Sequence, residues 1–461
     1  MKNIDSKNKV FVNRTLNMNT IKLVGFDMDY TLVTYNVPAF EEKAYSIIKK
    51  KLINEFNYPK EIEDFVFNKD FIIRGVVIDT ESGDFLKVNR YGFVRTASHG
   101  TKFLDYEEHK KKYGVRSIDF SDKRYYIVHT MFSKAEGCLF AQLVDYYDKI
   151  EKSPQYKRIF DEVRRCLNSA HFEPELKGDV VNNPEKYLIP DKRIVDALLK
   201  FRRFGKKLAL ITNSDYNYST KVMEFCFGQF LKFQWQKVFD IIVVAANKPD
   251  FFTGRNFFLK VNPETGLLSN FYGALEWGGI YQGGNAAYLE KNFGIDPSEI
   301  LYLGDHILGD VVTLKETIGW RTGLVVQELE QEVPILEKTQ EIHKLIAKKM
   351  AEKEKLEDIS LGYREKLWLK ENASVNRQKW EEIKDKMMKL DDELRNLITE
   401  SQAGFNPYWG EVMRAGNELS RFATLVERYA CIYMSGIANL YYYSPYKYFR
   451  SQRRFLAHDP K

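Results

Sequence analysis

Cysteine is scarce and scattered. The four residues, Cys138, Cys166, Cys226 and Cys431, lie far apart, with no CxxC pair and no metal-knuckle spacing. That argues against a disulfide framework or a zinc module, and for reduced thiols in a cytoplasmic protein. Long apolar runs are missing too. No stretch of about 18 apolar residues occurs, so no membrane span is expected. The opening residues, MKNIDSKNKVFVNRT, lack the apolar centre of an export signal. No internal repeat or low-complexity segment stands out. Charge of one sign is also in short supply: 70 Lys and Arg against 64 Asp and Glu leave a formal +6. Over this length that is a mild bias. It suits an anionic small substrate and does not point to nucleic acid or a membrane as partner.

Apolar residues make up 44% of the 461 and aromatics 14%, enough for two or three domains with large interiors. Four short apolar runs are prominent: Ile21 to Phe26, Lys207 to Ile211, Ile241 to Ala245, and Ile300 to Leu303. They end in DMDYT, in TNSDY, near Lys248, and in GDHILGD. Buried parallel strands of an α/β sheet read this way. Ligands bind beyond the carboxyl ends of such strands, where all four polar clusters fall. About 180 residues separate the first two runs, more than one crossover needs. The expected layout is therefore an α/β core from 1–104 and 184–330, with a helical cap inserted at 105–183. A helical region follows over 331–461, packing on the core and forming an oligomer interface. Arg74 to Val94 alternates, with turns at Gly83 and Gly92, and reads as hairpins attached to the core. Residues 251–281, rich in Gly and aromatics, read as a second, smaller insert. Trp380, Ile383, Met387, Leu390, Leu394 and Leu397 form an amphipathic stripe, expected to pack on its own domain.

The strand ends carry the chemistry. Asp27 and Asp29 are carboxylates at i and i+2, costly to hold together unless a cation sits between them. Mg²⁺ takes oxygen ligands and shares them with phosphate. A carboxylate can attack phosphorus, and its neighbour can protonate the leaving oxygen and later activate water. The plainer alternative is a solvated turn. Thr212 and Asn213 offer a hydroxyl and backbone N–H groups to phosphate oxygens, or simply cap a helix with Ser214 or Asp215. Lys248 suits a phosphoryl group as a point charge, or is a surface lysine. Asp305 and Asp310 add two acids beside Gly304 and Gly309. One can complete a Mg²⁺ shell and the other orient Lys248 or a metal water. The plainer alternative there is a Gly-Asp turn. Together the four clusters favour a phosphatase.

In this order, DMDYT, TNS, Lys and GDHILGD resemble the four motifs of the haloacid-dehalogenase superfamily. Longer strings narrow the resemblance. GFDMDYTLVTY, RGVVIDTESGDFLKVNRYG, LITNSDYNY, GGIYQGGN, YLGDHILGDV, GWRT and ERYACIYMSGIANLYYYSPYKYFR are similar to the cytosolic purine 5′-nucleotidases that prefer IMP and GMP. The resemblance covers most of the chain. It implies an α/β fold, a Rossmann-like haloacid-dehalogenase core with an inserted helical cap and a helical C-terminal region. It implies Asp27 as nucleophile and Asp29 as general acid/base. Mg²⁺ would be held by Asp27, the backbone carbonyl of Asp29, and Asp305. Thr212, Asn213 and Lys248 would bind the transferred phosphate, and Asp310 would act behind the metal or on its water. FDEVRRCLNSAHFEPELK matches the segment that reads the nucleoside. Arg164, Asn168, His171, Phe172 and Lys177 therefore join Phe132, which stacks on the purine, and Ser214 as substrate-binding residues. As the plainer alternative, Phe132 and Phe172 belong to the core, and Arg164 and Lys177 to a solvated helix face.

The resemblance also implies purine nucleoside monophosphates as substrates, a nucleoside such as inosine as an alternative phosphate acceptor, ATP or GTP as activator, and a homo-oligomer, dimer or tetramer. Departures bear on these expectations. Asn168 stands where the animal enzymes carry Asp; an amide donates as well as accepts, which opens the choice between hypoxanthine and guanine. His129 replaces Asn and Leu308 replaces Phe near the effector site, leaving the identity of the activator open. The chain ends FLAHDPK, without the acidic tail of the animal enzymes, so regulation through that tail is not expected. Two other readings stay open. One is a sugar-phosphate phosphatase or mutase on the same core. The other is a nucleotide-sensing or nucleic-acid-binding protein with a relict site, suggested by Tyr441 to Tyr443, Tyr446, Tyr448, Arg450, Arg453 and Arg454. That last stretch reads more readily as a subunit interface.

Overall fold

A computed structural model describes residues 4–150, 154–172, 174–453 and 458–459. Arg454 lies outside them. The four apolar runs become Leu23–Phe26, Lys207–Ile211, Ile241–Val244 and Ile300–Gly304. Almost every residue in them is buried, because helices cover both faces of a parallel sheet. They lie side by side and parallel, in the spatial order 300–304, 23–26, 207–211, 241–244. The Asp27 strand is in the middle, with Phe26 level with both Leu210 and Leu303. Asp27, Thr212 and Asp305 thus emerge together at one edge, since each is the first residue past its strand.

The sheet is wider than these four. Among the described residues it has ten strands, extending through Arg321–Val325 and Ile432–Met434 to Phe11–Val12 on one side. On the other it continues through Ile280–Gly283, Phe258–Val261 and Leu268–Asn270. Residues 251–281 therefore do not form a separate insert. They widen the core sheet with an antiparallel hairpin, which turns at Gly266 with φ of +71°. The glycines that suggested an insert serve turns at the sheet edge.

Between the Asp27 and Thr212 strands lies a large insertion. It holds the helices Val37–Phe56, Lys134–Ile150, Tyr156–Phe172 and Pro174–Asn182. It also holds a five-stranded antiparallel sheet of its own, in the order 102–103, 94–99, 84–88, 76–79, 125–127. The expected boundary at 104/105 cuts this sheet. The hairpins over Arg74 to Val94 belong with Tyr125–Ile127, a three-residue strand too short to show a period of two.

The chain divides into two compact units, 1–329 with 412–461, and 330–411. The expected helical region over 331–461 is therefore too long. In the second unit, helices Gln340–Trp368 and Ala373–Gln402 pack against each other as a hairpin. Trp380, at the head of the amphipathic stripe, donates its indole N–H to Ser360 at 3.1 Å. Residues from 412 onward return to the first unit, where Ile432–Met434 pairs with Arg321–Val325.

Candidate active site

Asp27 ends its strand by donating its N–H to Leu303 O at 2.9 Å. The chain then turns tightly: the N–H groups of Thr31, Leu32 and Val33 all point at Met28 O, and Tyr30 takes a left-handed φ of 53°. The turn puts Asp27 and Asp29 on the same side. Met28 N–H donates to Asp27 Oδ1 at 2.8 Å. Lys248 Nζ lies 2.8 Å from the same oxygen, 2.9 Å from Asp310 Oδ1 and 2.9 Å from the Tyr302 hydroxyl. Tyr302 passes its own proton to Ile211 O at 2.9 Å. All three ammonium donors are therefore satisfied. Burial alone would lower the Lys248 pKa, but Asp27 and Asp310 hold it well above its ordinary value. Burial pushes Asp27 up to about 7 against the pull of Lys248, with Asp310 and Asp29 adding repulsion.

Asp310 sits in the wide helical turn Ile307–Val312, and its second oxygen accepts from His306 N–H at 3.1 Å. A β-carbon at Gly304 would collide with this carboxylate, so glycine is required there. Asp305 differs. Among the described residues its Oδ2 is buried without a hydrogen-bond partner. Burial raises its pKa well above the ordinary value, and Asp27 and Asp310 push the same way. Oxygens of Asp27, Asp305 and Asp310 all lie within 4.8 Å of one another. An orphaned carboxylate oxygen in an all-oxygen acidic cluster fits a hard divalent cation such as Mg²⁺.

Asp29 is held apart from that cluster. Its Oδ1 accepts from Tyr35 OH at 2.6 Å and its Oδ2 from Ser214 Oγ at 2.8 Å. Burial raises its pKa, and the two hydroxyls oppose the rise. Thr212 is fully buried, and its hydroxyl accepts from Ser214 N–H at 3.1 Å. The Asn213 side chain is committed elsewhere than expected. It accepts from Lys248 N–H at 2.6 Å and donates to Lys248 O at 3.0 Å. The amide thus clasps the lysine loop.

A cleft of about 510 Å³ opens from Asp29. Phe132, Arg164, Asn168, Lys177, Asn213 and Ser214 all line it, on segments distant in sequence. Arg164 lies over the Tyr126 ring at 4.2 Å, and Phe132 packs edge-on to Tyr30 at 4.5 Å. Lys177 pairs with Asp215 at 3.0 Å. His171 and Phe172 close the helix Tyr156–Phe172, but their side chains lie outside the described residues. His129 and Leu308 are not among the cleft-lining residues. His129 faces His306 with ring centroids 6.1 Å apart, and burial pushes its pKa down to about 3. Leu308 is exposed.

Several site residues escaped the sequence. Tyr302 is one alternate position of a strand that reads as uniformly apolar. Tyr35 and Tyr218, hydroxyl to hydroxyl at 2.9 Å, stand behind Asp29. Glu136 lines the cleft, with a pKa pushed up to about 7 by burial. Arg74, 1% exposed, grips Glu328 with two nitrogens and donates from Nη1 to the carbonyls of Asp305 at 3.1 Å and Val325 at 3.2 Å. A charged residue before an expected hairpin was its only signal.

The sequence pattern of the 5' nucleotidase family matches residues 10–461. A relative from Homo sapiens, 5'-nucleotidase domain-containing protein 2, is 27% identical over 98% of this chain and 85% of its own length. Among solved structures, CbbY from Rhodobacter sphaeroides, in complex with phosphate, is 13% identical with a TM-score of 0.27. That alignment covers 66% of this chain and 86% of that one. A haloacid dehalogenase-like family hydrolase from Xanthomonas campestris is 11% identical with a TM-score of 0.26, over 68% and 86%.

Proposed function

The chain belongs to the 5' nucleotidase family, and from that premise we propose that it hydrolyses purine nucleoside 5′-monophosphates, IMP and GMP first, with Mg²⁺ and through a phosphorylated Asp27. Family membership supports hydrolysis of a phosphate monoester. The observation that carries the finer reading is the meeting of two features. One is the buried set of Asp27, Asp305, Asp310 and Lys248. The other is the cleft lined by Asp29, Phe132, Arg164 and Asn168.

Asp27 Oδ attacks phosphorus in line with the nucleoside 5′-oxygen. The P–O bond to the nucleoside breaks as the bond to Asp27 forms. Asp29 gives its proton to the departing oxygen. The raised pKa of Asp29 favours that protonated start, yet both its oxygens accept hydrogen bonds in the ionised form. Tyr35 resolves the conflict, because its O–H can turn to Tyr218 at 2.9 Å and free Asp29 Oδ1 for a proton. In the second step Asp29 takes a proton from water, whose oxygen attacks phosphorus and releases Asp27 and inorganic phosphate. A nucleoside hydroxyl in place of water gives phosphotransfer.

Lys248 holds Asp27 in place and faces the incoming phosphate with positive charge. Thr212 and the Asn213 backbone would border the same position. Asp27 and Asp305, with Asp310 beside them, would hold Mg²⁺, which when bound supplies charge to the carboxylates and to the phosphate oxygens. Phe132 would stack on the purine, and Arg164 and Asn168 would read its edge.

The test is phosphate release from IMP, GMP, AMP, pyrimidine monophosphates and hexose phosphates, with Mg²⁺ or EDTA. Added ATP, GTP or inosine probes activation and transfer. Purine monophosphates should lead, EDTA should stop release, and inosine should divert phosphate to a nucleotide. Hexose phosphate turnover above that of IMP would replace the reading with a sugar-phosphate phosphatase.

A further inference from the structure

A second cleft, of about 730 Å³, lies along the same sheet at its hairpin side. It shares no lining residue with the catalytic cleft. Its walls are the loop over 255–258, the segment at Phe271 and Tyr272, and the first turns of helix Ala286–Phe293. The walls are tied together. Asn285 Nδ2 donates to Asn256 O at 2.9 Å, and Tyr288 OH donates to Gly273 O at 3.1 Å. Phe258 packs on both Tyr281 and Tyr288, with ring centroids 5.8 Å apart in each case. The cleft is thus braced by polar ties and ring contacts before any ligand arrives.

Its chemistry is one-sided. Two cations, Arg255 and Lys291, line it and no carboxylate does. Neither has an ion-pair partner among the described residues. Glu290, beside Lys291, is turned away to the Trp320 indole. Two aromatic rings stand almost fully in water at the rim, Phe257 at 88% and Tyr272 at 90% exposure. One cleft thus offers exposed ring faces and positive charge together. Flat rings stack on flat rings, and paired cations hold phosphate. The volume falls within the usual range for small-ligand sites.

We propose that this cleft binds a phosphorylated aromatic ligand, a nucleotide, with its ring against Tyr272 and Phe257 and its phosphate between Arg255 and Lys291. The site is separate from the proposed reaction and stands without it. The loop that supplies Arg255 follows the helix Asp250–Thr253, which begins just after Lys248. The cleft wall at Arg255 is thus continuous in the chain with the segment that carries Lys248.

The test uses the full chain and titration calorimetry with ADP, adenosine and inorganic pyrophosphate. ADP should bind more tightly than either fragment. The double variant Arg255→Ala, Lys291→Ala should weaken ADP by about tenfold or more, and Tyr272→Ala by about tenfold. Arg164→Ala, in the catalytic cleft, should leave this binding intact. Phosphate release without ADP should be unchanged in the Arg255, Lys291 and Tyr272 variants. ADP binding that survives the double variant but falls with Arg164→Ala would overturn the proposal. So would pyrophosphate binding as tightly as ADP. A changed sedimentation coefficient with unchanged ADP affinity would assign the surface to self-association instead, and equally overturn it.

Discussion

Replacing Lys248 with Met removes one positive charge and keeps most of the stem. In the native site the ammonium lies 2.8 Å from Asp27 and 2.9 Å from Asp310, and it is 5% exposed. At an effective permittivity of about 20, Coulomb's law gives each contact about 6 kcal/mol of gross attraction. Desolvation offsets much of that, so the gross figure is not the cost. Breaking a buried pair by removing one partner typically costs about 3–5 kcal/mol, because the other charge stays buried. Here two carboxylates are left. Proton uptake limits the damage: Asp27 sits at about 7 even with the lysine present. The expected loss is therefore about 3–5 kcal/mol at pH 8 in EDTA, and clearly less at pH 5.5, where Asp27 takes up a proton. Mg²⁺ should recover more stability in Lys248→Met than in the native chain. Turnover should fall by about 10²–10³, the scale for losing one charge-stabilising donor. Urea unfolding at both pH values, with EDTA or Mg²⁺, reads the stability terms, and circular dichroism checks the fold. Equal stability at pH 8 in EDTA, or a loss that ignores pH, would refute this account of the site.

Further outcomes are expected. Asp27→Asn should nearly abolish phosphate release, while Asp29→Asn should cost about 10²–10⁴-fold; near-normal turnover in the first or unchanged rates for both steps in the second would remove the assigned role. Tyr35→Phe deletes a bond that lowers the Asp29 pKa, so the Asp29 limb of the pH profile of kcat/KM should move to higher pH. A profile identical to the native one would show that Tyr35 does not act on Asp29. Glu41 is fully buried, and burial pushes its pKa from 4.5 to about 8. Its neutral form is favoured in the fold, so its contribution is complete below about pH 4.5 and is lost as pH rises through about 8, by up to about 5 kcal/mol. Glu41→Gln should flatten that slope, and an unchanged slope in urea unfolding between pH 5 and 9 would contradict it. Arg74→Lys cannot grip Glu328 and two carbonyls at once, so the apparent Mg²⁺ affinity should fall about 10–100-fold; a native Mg²⁺ titration would separate Arg74 from the Asp305 loop.

Much of the core could be read because its strands are buried on both faces. A run such as LVGF or ILYLG has no polar alternation to confuse, and the polar residue that ends it is the one at the sheet edge. That is why Asp27, Thr212 and Asp305 could be picked out before they were seen side by side. Lys248 was visible only as a lone lysine after a strand; three contacts at its ammonium give it meaning. The rest was hidden for physical reasons. Ile432–Met434 is three residues long and sits beyond a charged helical hairpin, so its segment read as more helix. Tyr302 looks like one more apolar residue of its strand, although its hydroxyl links Lys248 to Ile211. The Asn213 side chain could have faced phosphate or protein, and only the fold shows it clasping the Lys248 backbone. Arg74 and Asp305 are distant in sequence and meet only when the insertion folds against the core.

The charge balance of the site argues for its chemistry more strongly than any one residue. Asp27 and Asp310 hold the buried Lys248 between them, and an oxygen of Asp305 lies within 4.8 Å of theirs. Two hydroxyls hold Asp29, and Lys248 and His306 N–H hold Asp310. Asp305 Oδ2 has no donor among the described residues. A fold that needed only stability would protonate or replace such a group, since an unsatisfied buried oxygen costs about 1–3 kcal/mol and more when charged. Arg74 instead fixes the Asp305 backbone from behind, and Gly304 keeps open the space that the Asp310 carboxylate occupies. The protein thus stabilises the backbone around the acids while leaving one acid unanswered. With its acids ionised, the site would repel a phosphate dianion. Oxygen ligands at this spacing suit a hard divalent cation, which would add positive charge facing a phosphate.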